Sequence, residues 1–267
     1  MTPFEHRRAG RVSDAVVWLR ETPDAKLLAG GQSLLAAMKL GLAAPPLLID
    51  LGRVPELLVL REEGAGLWIG AMCTHASVAA SPLVRARWPG LARLAAGIAD
   101  QQVRNRGTLG GSVSNADPAA CWPAGLLACG ATLVTDRREI AANDFFRGLF
   151  TTALEPDEVL LGARVPAPTP LVYLKEEQPA SRFALTGVAI ARGADGVRVA
   201  LTGLGHGPCR WPEAEAALTR RFAPEALAGL ALDPQQAAGD LHASAEYRVH
   251  LAGVLARRTL QQLLSHP

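Results

Sequence analysis

Long apolar runs are missing from this chain. The longest stretches, such as 126–134, are broken by Gly130 and fall short of the about 18 residues that a membrane span requires. A membrane-spanning helix is therefore not expected. An apolar signal core is missing too, because Arg7, Arg8, Arg11, Asp14 and Arg20 punctuate the opening segment, and a cytoplasmic protein is expected. Cysteine is scarce and scattered. Cys73, Cys121, Cys129 and Cys209 never form a CxxC pair or sit beside spaced histidines. They offer no zinc or iron–sulfur site and no disulfide framework, and read as buried small apolar residues. An excess of one charge is also lacking: 27 basic residues face 25 acidic ones, for a net charge of +2 without a long basic run. With aromatics at 5%, nothing marks a nucleic-acid or membrane surface. Lysine is rarer than the charge suggests. Lys26, Lys39 and Lys175 are the only three, which makes each a candidate for a position where a guanidinium does not fit.

What remains is 267 residues, 49% of them hydrophobic, enough to bury one large core or two ordinary ones. Ser13 is placed to cap a helix in which Ala15, Val16 and Leu19 form one stripe, ending near Glu21. Lys26-Leu27-Leu28-Ala29 reads as a buried strand that runs into Gly30-Gly31-Gln32-Ser33, after which Leu34, Leu35 and Met38 resume helical spacing up to Gly41. A strand, a Gly-Gly turn and a helix in that order can point free backbone N–H groups at an anion; a plain tight turn has the same sequence. Residues 47–51 make a second strand, and 57–60 with 67–70 a hairpin. Thr74 caps a short helix that begins at His75, where the histidine reads as a capping or packing residue.

The densest polar and glycine-rich segment is 101–118, between a helical stretch at 91–99 and an apolar helix at 118–129. As a long loop inside a compact domain it reads as functional. It carries Thr108, Ser112, Ser114 and Asn115 as hydrogen-bonding side chains beside Gly107, Gly110 and Gly111. Other chemistries lack their motifs: there is no GxxxxGK[ST], no GxSxG and no HExxH. Gly203-Leu204-Gly205-His206-Gly207-Pro208 is a turn after a strand, since Pro208 stands where a dinucleotide fingerprint needs its last glycine. Strands at 182–192 and 197–203 are followed by helices, the last from about Ala245 with Leu251, Val254 and Leu255 on one side and Arg257-Arg258 at its basic end.

Taken in order, five segments resemble the FAD-binding medium subunits of the molybdenum hydroxylases, a family that includes carbon monoxide dehydrogenase and the matching domain of xanthine dehydrogenase. They are Lys26-Leu27-Leu28-Ala29-Gly30-Gly31-Gln32-Ser33-Leu34; Arg104-Asn105 with Thr108-Leu109-Gly110-Gly111-Ser112; Ala116-Asp117-Pro118-Ala119-Ala120; Pro179-Ala180-Ser181-Arg182-Phe183-Ala184; and His242-Ala243-Ser244-Ala245-Glu246-Tyr247-Arg248. The resemblance spans nearly the whole chain. It implies that Lys26 through Leu34 and Thr108, Gly110, Gly111, Ser112 and Asn115 hold FAD, with both glycine turns on the diphosphate. It places Leu160 and Lys175 near the isoalloxazine. The family aspartate that bonds the adenosine ribose falls on Cys121, a poor acceptor, and Asp117 stands as its candidate substitute.

Fold and function follow from the same resemblance. The fold expected is α+β: a vanillyl-alcohol-oxidase-type (PCMH-like) two-subdomain FAD-binding unit over residues 1–167, with subdomains at about 1–53 and 54–167. A small C-terminal α+β domain of the carbon monoxide dehydrogenase flavoprotein type, an antiparallel sheet plus helices, follows over 168–267, with Pro166, Pro168 and Pro170 marking the linker. The function implied is that of an electron-transfer oxidoreductase subunit with noncovalent FAD, since no histidine or cysteine lies in either glycine turn. The molybdenum cofactor and [2Fe-2S] clusters would lie only in a large and a small partner subunit, in a dimer of heterotrimers. No side chain here need act as a general base. A self-sufficient flavin oxidoreductase of the same fold and a flavin-free scaffold subunit are the alternatives.

Overall fold

A computed structural model describes residues 2–265. The chain opens with β1 (Glu5–Arg8), α1 (Val12–Glu21), β2 (Lys26–Leu28), α2 (Leu34–Lys39) and β3 (Leu47–Asp50). The three strands form a parallel sheet in the order β1-β3-β2, with Leu47, Leu48 and Ile49 of the central strand buried. Parallel strands require crossovers, which α1 and α2 supply. The cap of α1 is not Ser13, which already lies inside the helix. Asp14 reaches back instead, and its Oδ2 accepts the N–H groups of Gly10 and Arg11 at 3.1 and 3.2 Å.

The second layer contains β4 (Leu60–Glu63), β5 (Gly66–Gly70), α3 (His75–Ala80), α4 (Pro82–Arg87), α5 (Pro89–Ala96), α6 (Gln101–Arg104), α7 (Leu109–Asn115) and α8 (Cys121–Cys129). It continues with β6 (Thr132–Thr135), β7 (Glu139–Ala141), α9 (Ala142–Phe145), a small ribbon of β8 (Phe146–Gly148) and β9 (Thr151–Thr152), and β10 (Leu160–Val165). Its main sheet is antiparallel in the order β4-β5-β10-β6-β7. The hairpin expected from residue 57 starts only at Leu60, because Pro55 opens a 3-10 turn over Pro55–Leu58. The segment 101–118 is not the long loop its composition suggests. Asp100 caps α6 by accepting from Val103 N–H at 2.8 Å, and Thr108 caps α7 by accepting from Gly111 N–H at 3.0 Å. Each cap satisfies an end donor that a short helix would otherwise leave free.

The last part is an antiparallel sheet, β11 (Leu171–Glu177), β12 (Ala184–Gly193), β13 (Gly196–Thr202) and β14 (Cys209–Arg210), carrying α10 (Pro212–Arg220) and α11 (Ala245–Ser265). Arg257 and Arg258 lie well inside α11 rather than in its last turn, so they do not act on its terminal dipole. Alternation along β12 and β13 divides two cores. Val188, Ile190, Val199 and Leu201 pack with Trp211 and Leu255 beneath the C-terminal helices. On the opposite face, Ala189, Ala191 and Ala200 belong to the large core that also contains α8. All nine residues of α8 are buried, consistent with a helix that is apolar all round. At its start, the Thr202 hydroxyl donates to the Ala120 carbonyl at 2.8 Å and Gly203 N–H to the Pro118 carbonyl at 2.6 Å. The C-terminal sheet is thereby fastened to the chain entering α8.

Candidate functional site

A cavity of about 880 Å³ opens between the parallel sheet, the helices after β5 and the β11–β12 turn. Its size lies within the range of small-molecule and cofactor pockets. Lys26, Leu27, Ala29 through Leu34, Thr108, Gly110, Gly111, Ser112, Asn115, Asp117, Leu160 and Lys175 all line it, as does Cys121. Leu28 does not; a Cβ placed on Gly31 would touch its Cδ1 at 3.4 Å.

The two glycine turns form facing walls, but they are built differently. In the first, Gly31 has φ +73°, a left-handed conformation that lets the chain leave β2 and enter α2. Among the described residues no acceptor takes the N–H groups of Gly31, Gln32, Ser33 or Leu34. Four consecutive residues lining the cavity therefore keep donors without a partner among the described residues. The second turn shows the opposite. Leu109 N–H donates to the Cys73 carbonyl, Gly110 N–H to the Ala71 carbonyl and Ser112 N–H to the Thr108 carbonyl, while Gly111 N–H goes to Thr108 Oγ1. This wall presents side chains instead: the Thr108 and Ser112 hydroxyls and the Asn115 amide. Its glycines serve close packing, since a Cβ on Gly110 would lie 2.5 Å from Ala71 Cβ and 2.7 Å from its carbonyl oxygen. The walls touch where Gly30 meets the Arg106 carbonyl, at a separation that leaves no room for any side chain.

Charged groups around the cavity are held in place. Glu158 has a fully buried carboxylate that accepts from Arg138 at 2.8 and 2.9 Å, from Thr135 at 2.7 Å and from Glu155 N–H at 3.0 Å. These bonds, the Arg138 guanidinium first, hold its pKa down at about 2 despite burial. The Lys175 side chain is 6% exposed, and its Nζ donates to the Arg182 carbonyl at 2.7 Å and pairs with Glu177 at 3.2 Å. That bond ties the β11–β12 turn, where Arg182 takes a left-handed φ of 58°, over the cavity. Burial pushes the Asp117 carboxyl up, against one stabilising bond from Ala119 N–H. Burial also pushes the Cys121 thiol up, and the neighbouring Lys175 opposes it. Glu158, Met72, His75 and Phe183 also line the cavity and were not among the residues singled out in the sequence for it. Only Phe183 carried a signal, as part of the fourth segment.

A four-donor nest facing a hydroxyl wall is suited to a diphosphate, and comparison with known proteins agrees. The sequence family described as FAD binding domain in molybdopterin dehydrogenase matches residues 2–168. The CO dehydrogenase flavoprotein C-terminal domain matches residues 180–263. The chain belongs to the FAD-binding medium subunits of the molybdopterin dehydrogenases. Among curated relatives of this medium subunit, the carbon monoxide dehydrogenase medium chain of Hydrogenophaga pseudoflava is 39% identical over 96% of each chain. The nicotine 6-hydroxylase medium subunit of Paenarthrobacter nicotinovorans is 38% identical over 93% of each. Among solved structures, a carbon monoxide dehydrogenase from H. pseudoflava superposes with a TM-score of 0.91 at 38% identity over 99% of both chains. A Cu,Mo-CO dehydrogenase superposes at 0.93 with 30% identity over the full length of both. The α+β medium-subunit fold and the role as an oxidoreductase subunit expected from the five segments are thus borne out. No helix among the described residues is long and apolar enough to cross a membrane.

Proposed function

We propose that this medium subunit is the FAD-bearing electron-transfer component of a molybdenum hydroxylase complex, with residues 1–167 as the FAD-binding unit and 168–267 as its C-terminal domain. The observation that carries the reading is the row of N–H groups from Gly31 to Leu34, without a partner among the described residues, in a cavity that Thr108, Ser112 and Asn115 also line. Unpaired backbone donors in a protein wall are costly unless a ligand or water completes them. A diphosphate supplies acceptors at that spacing. Bound FAD would supply the one- and two-electron redox chemistry that side chains lack, and the protein's part is to bind, orient and enclose it.

Each residue has a stated task in this reading. The first turn would donate to one side of the diphosphate, and the hydroxyls of Thr108 and Ser112 with the Asn115 amide to the other. Leu160 and Lys175 would border the flavin end. Asp117, raised by burial, keeps an oxygen beyond the one bonded to Ala119 for the nucleotide sugar. Cys121, buried beside Lys175, would contribute packing rather than a strong acceptor. Electrons would arrive from [2Fe-2S] clusters in a small subunit, originating at a molybdenum cofactor in a large one, in a dimer of heterotrimers, and leave to an external acceptor.

Acid denaturation of the purified chain should release one FAD per polypeptide, with no flavin retained on the protein. Mixing the isolated chain with candidate aromatic substrates should leave the oxidised flavin spectrum unchanged until the partner subunits are added. Rapid bleaching by a substrate alone would favour a self-sufficient oxidoreductase, and a colourless protein that takes up no added FAD would favour a scaffold.

A further inference from the structure

His75 is a buried residue of the cavity wall, 5% exposed, and has no role in the reading above. It is the first residue of α3, and its backbone N–H donates to the Gly107 carbonyl at 2.9 Å. Among the described residues its ring makes one bond: Nδ1 accepts from the indole N–H of Trp122 at 3.0 Å. Trp can only donate, so Nδ1 carries no proton and the neutral ring holds its proton on Nε2. Burial, helped by the nearby Arg104, draws the pKa down to about 4 and keeps the ring neutral near pH 7.

Nε2 lies against Gly107, where a Cβ would come within 2.7 Å of it. Gly107 in turn adjoins the first turn: a Cβ on Gly30 would lie 2.8 Å from its Cα. His75 and Gly107 both line the cavity, and among the described residues no acceptor takes the Nε2 proton. A neutral imidazole fixed in one tautomer thus sets a donor beside the meeting point of the two glycine turns. Nε2 is not among the polar side-chain atoms sealed from solvent, so this donor is open to an acceptor placed in the cavity.

We propose that His75 is a cofactor-binding residue whose Nε2–H donates to an oxygen of the ADP half of FAD. The proposal rests on the cavity being the FAD site. Its role is separable from the structural bond to Trp122. In His75→Asn the amide oxygen takes the place of Nδ1 and still accepts from Trp122, but the cavity donor is gone. In His75→Gln the amide nitrogen reaches the place of Nε2, but the acceptor for Trp122 is lost.

The test is titration of the full-length apoprotein with FAD, ADP and FMN, following flavin fluorescence or heat. His75→Asn should bind FAD and ADP about tenfold or more weakly and FMN unchanged, whereas His75→Gln should stay within about threefold of wild type. Equal binding by His75→Asn, a loss confined to FMN, or a greater loss in His75→Gln than in His75→Asn would each overturn the proposal. Should a variant fold poorly, imidazole ¹⁵N spectra of the wild-type protein decide. The His75 Nε2 resonance should shift when ADP is added, and an unmoved resonance overturns the assignment. Failure of the wild type to bind FAD at all would instead defeat the reading of the cavity, a result told apart by the wild-type titration alone.

Discussion

The two Gly-Gly pairs of this chain look interchangeable in sequence and do different work in the fold. Gly30-Gly31 ends a strand with one residue left-handed, and from Gly31 to Leu34 four N–H groups have no partner among the described residues. Gly110-Gly111 lies inside a helix, its N–H groups consumed within the protein and its missing side chains traded for contact with Ala71 and Thr108. One pair exposes the backbone to a ligand, and the other brings a helix close enough for its neighbours' hydroxyls to reach the same ligand. A glycine cluster is therefore not by itself an anion site; the partners of its N–H groups decide.

The largest expected effect that would break this contrast is at the packing pair. Gly110→Val should destabilise the protein by more than about 3 kcal/mol, because its side chain meets Ala71 backbone that cannot withdraw. Poor soluble yield and a collapsed thermal transition should accompany loss of flavin; a stable Gly110→Val protein lacking only FAD would place this glycine with the first pair.

Next comes acid. The folded pKa of His75, about 4, lies below its ordinary 6.5, so as pH falls through 6.5 the unfolded chain takes up a proton that the folded one refuses. The stability from burying the neutral ring is complete above pH 6.5 and is lost progressively down to pH 4. That loss amounts to about 3 kcal/mol. Denaturant titrations at pH 7.5 and 4.5 should show the loss in the wild type and a smaller one in His75→Asn; equal slopes would remove His75 from the acid response.

A smaller effect is expected at the donor pair. Gly31→Ala places a Cβ at positive φ, costing about 1–2 kcal/mol, and its one close contact is with the flexible end of Leu35 at 2.8 Å, beside an ordinary contact with Leu28. It should fold, with FAD affinity reduced more than its melting temperature suggests. Smallest is Ser112→Ala, which removes a cavity hydroxyl without touching a protein hydrogen bond. Its melting temperature should not change, while its FAD dissociation constant should rise about threefold to tenfold. A change in stability with unchanged affinity would reverse the assignment.

Much of the architecture was legible wherever local chemistry decides it. The turn from β2 into α2, the Thr74 cap and the start of α11 at Ala245 all follow residue signals that tertiary contacts leave intact. The segment 101–118 was not legible as helix, because Gly110, Gly111, Ser112, Ser114 and Asn115 are weak helix formers. Their helix exists through the Thr108 cap and the burial of Leu109 and Val113. Strand β11 is hidden in the sequence between Pro168 and Pro170 and the charged run Lys175-Glu176-Glu177. At the site, the lining residues were readable through their resemblance to a family, but His75 was not. A capping histidine and a cavity histidine have the same sequence signature, and only the bond from Trp122 shows which nitrogen is free to donate.

The alanine face of the C-terminal sheet bears on the order in which the chain can be made. Because Ala189, Ala191 and Ala200 complete the core around α8, that helix has no finished surroundings until β12 and β13 have left the ribosome. The growing chain must hold a nine-residue helix, apolar on every side, with the face that β12 and β13 will cover left open for some 70 residues of synthesis, α5 and α7 covering another. In that interval the nascent chain is exposed to aggregation and calls for chaperone cover, whereas the parallel sheet at its start can already have formed. Expression of a fragment ending before Ala184 should yield insoluble protein even when FAD is plentiful.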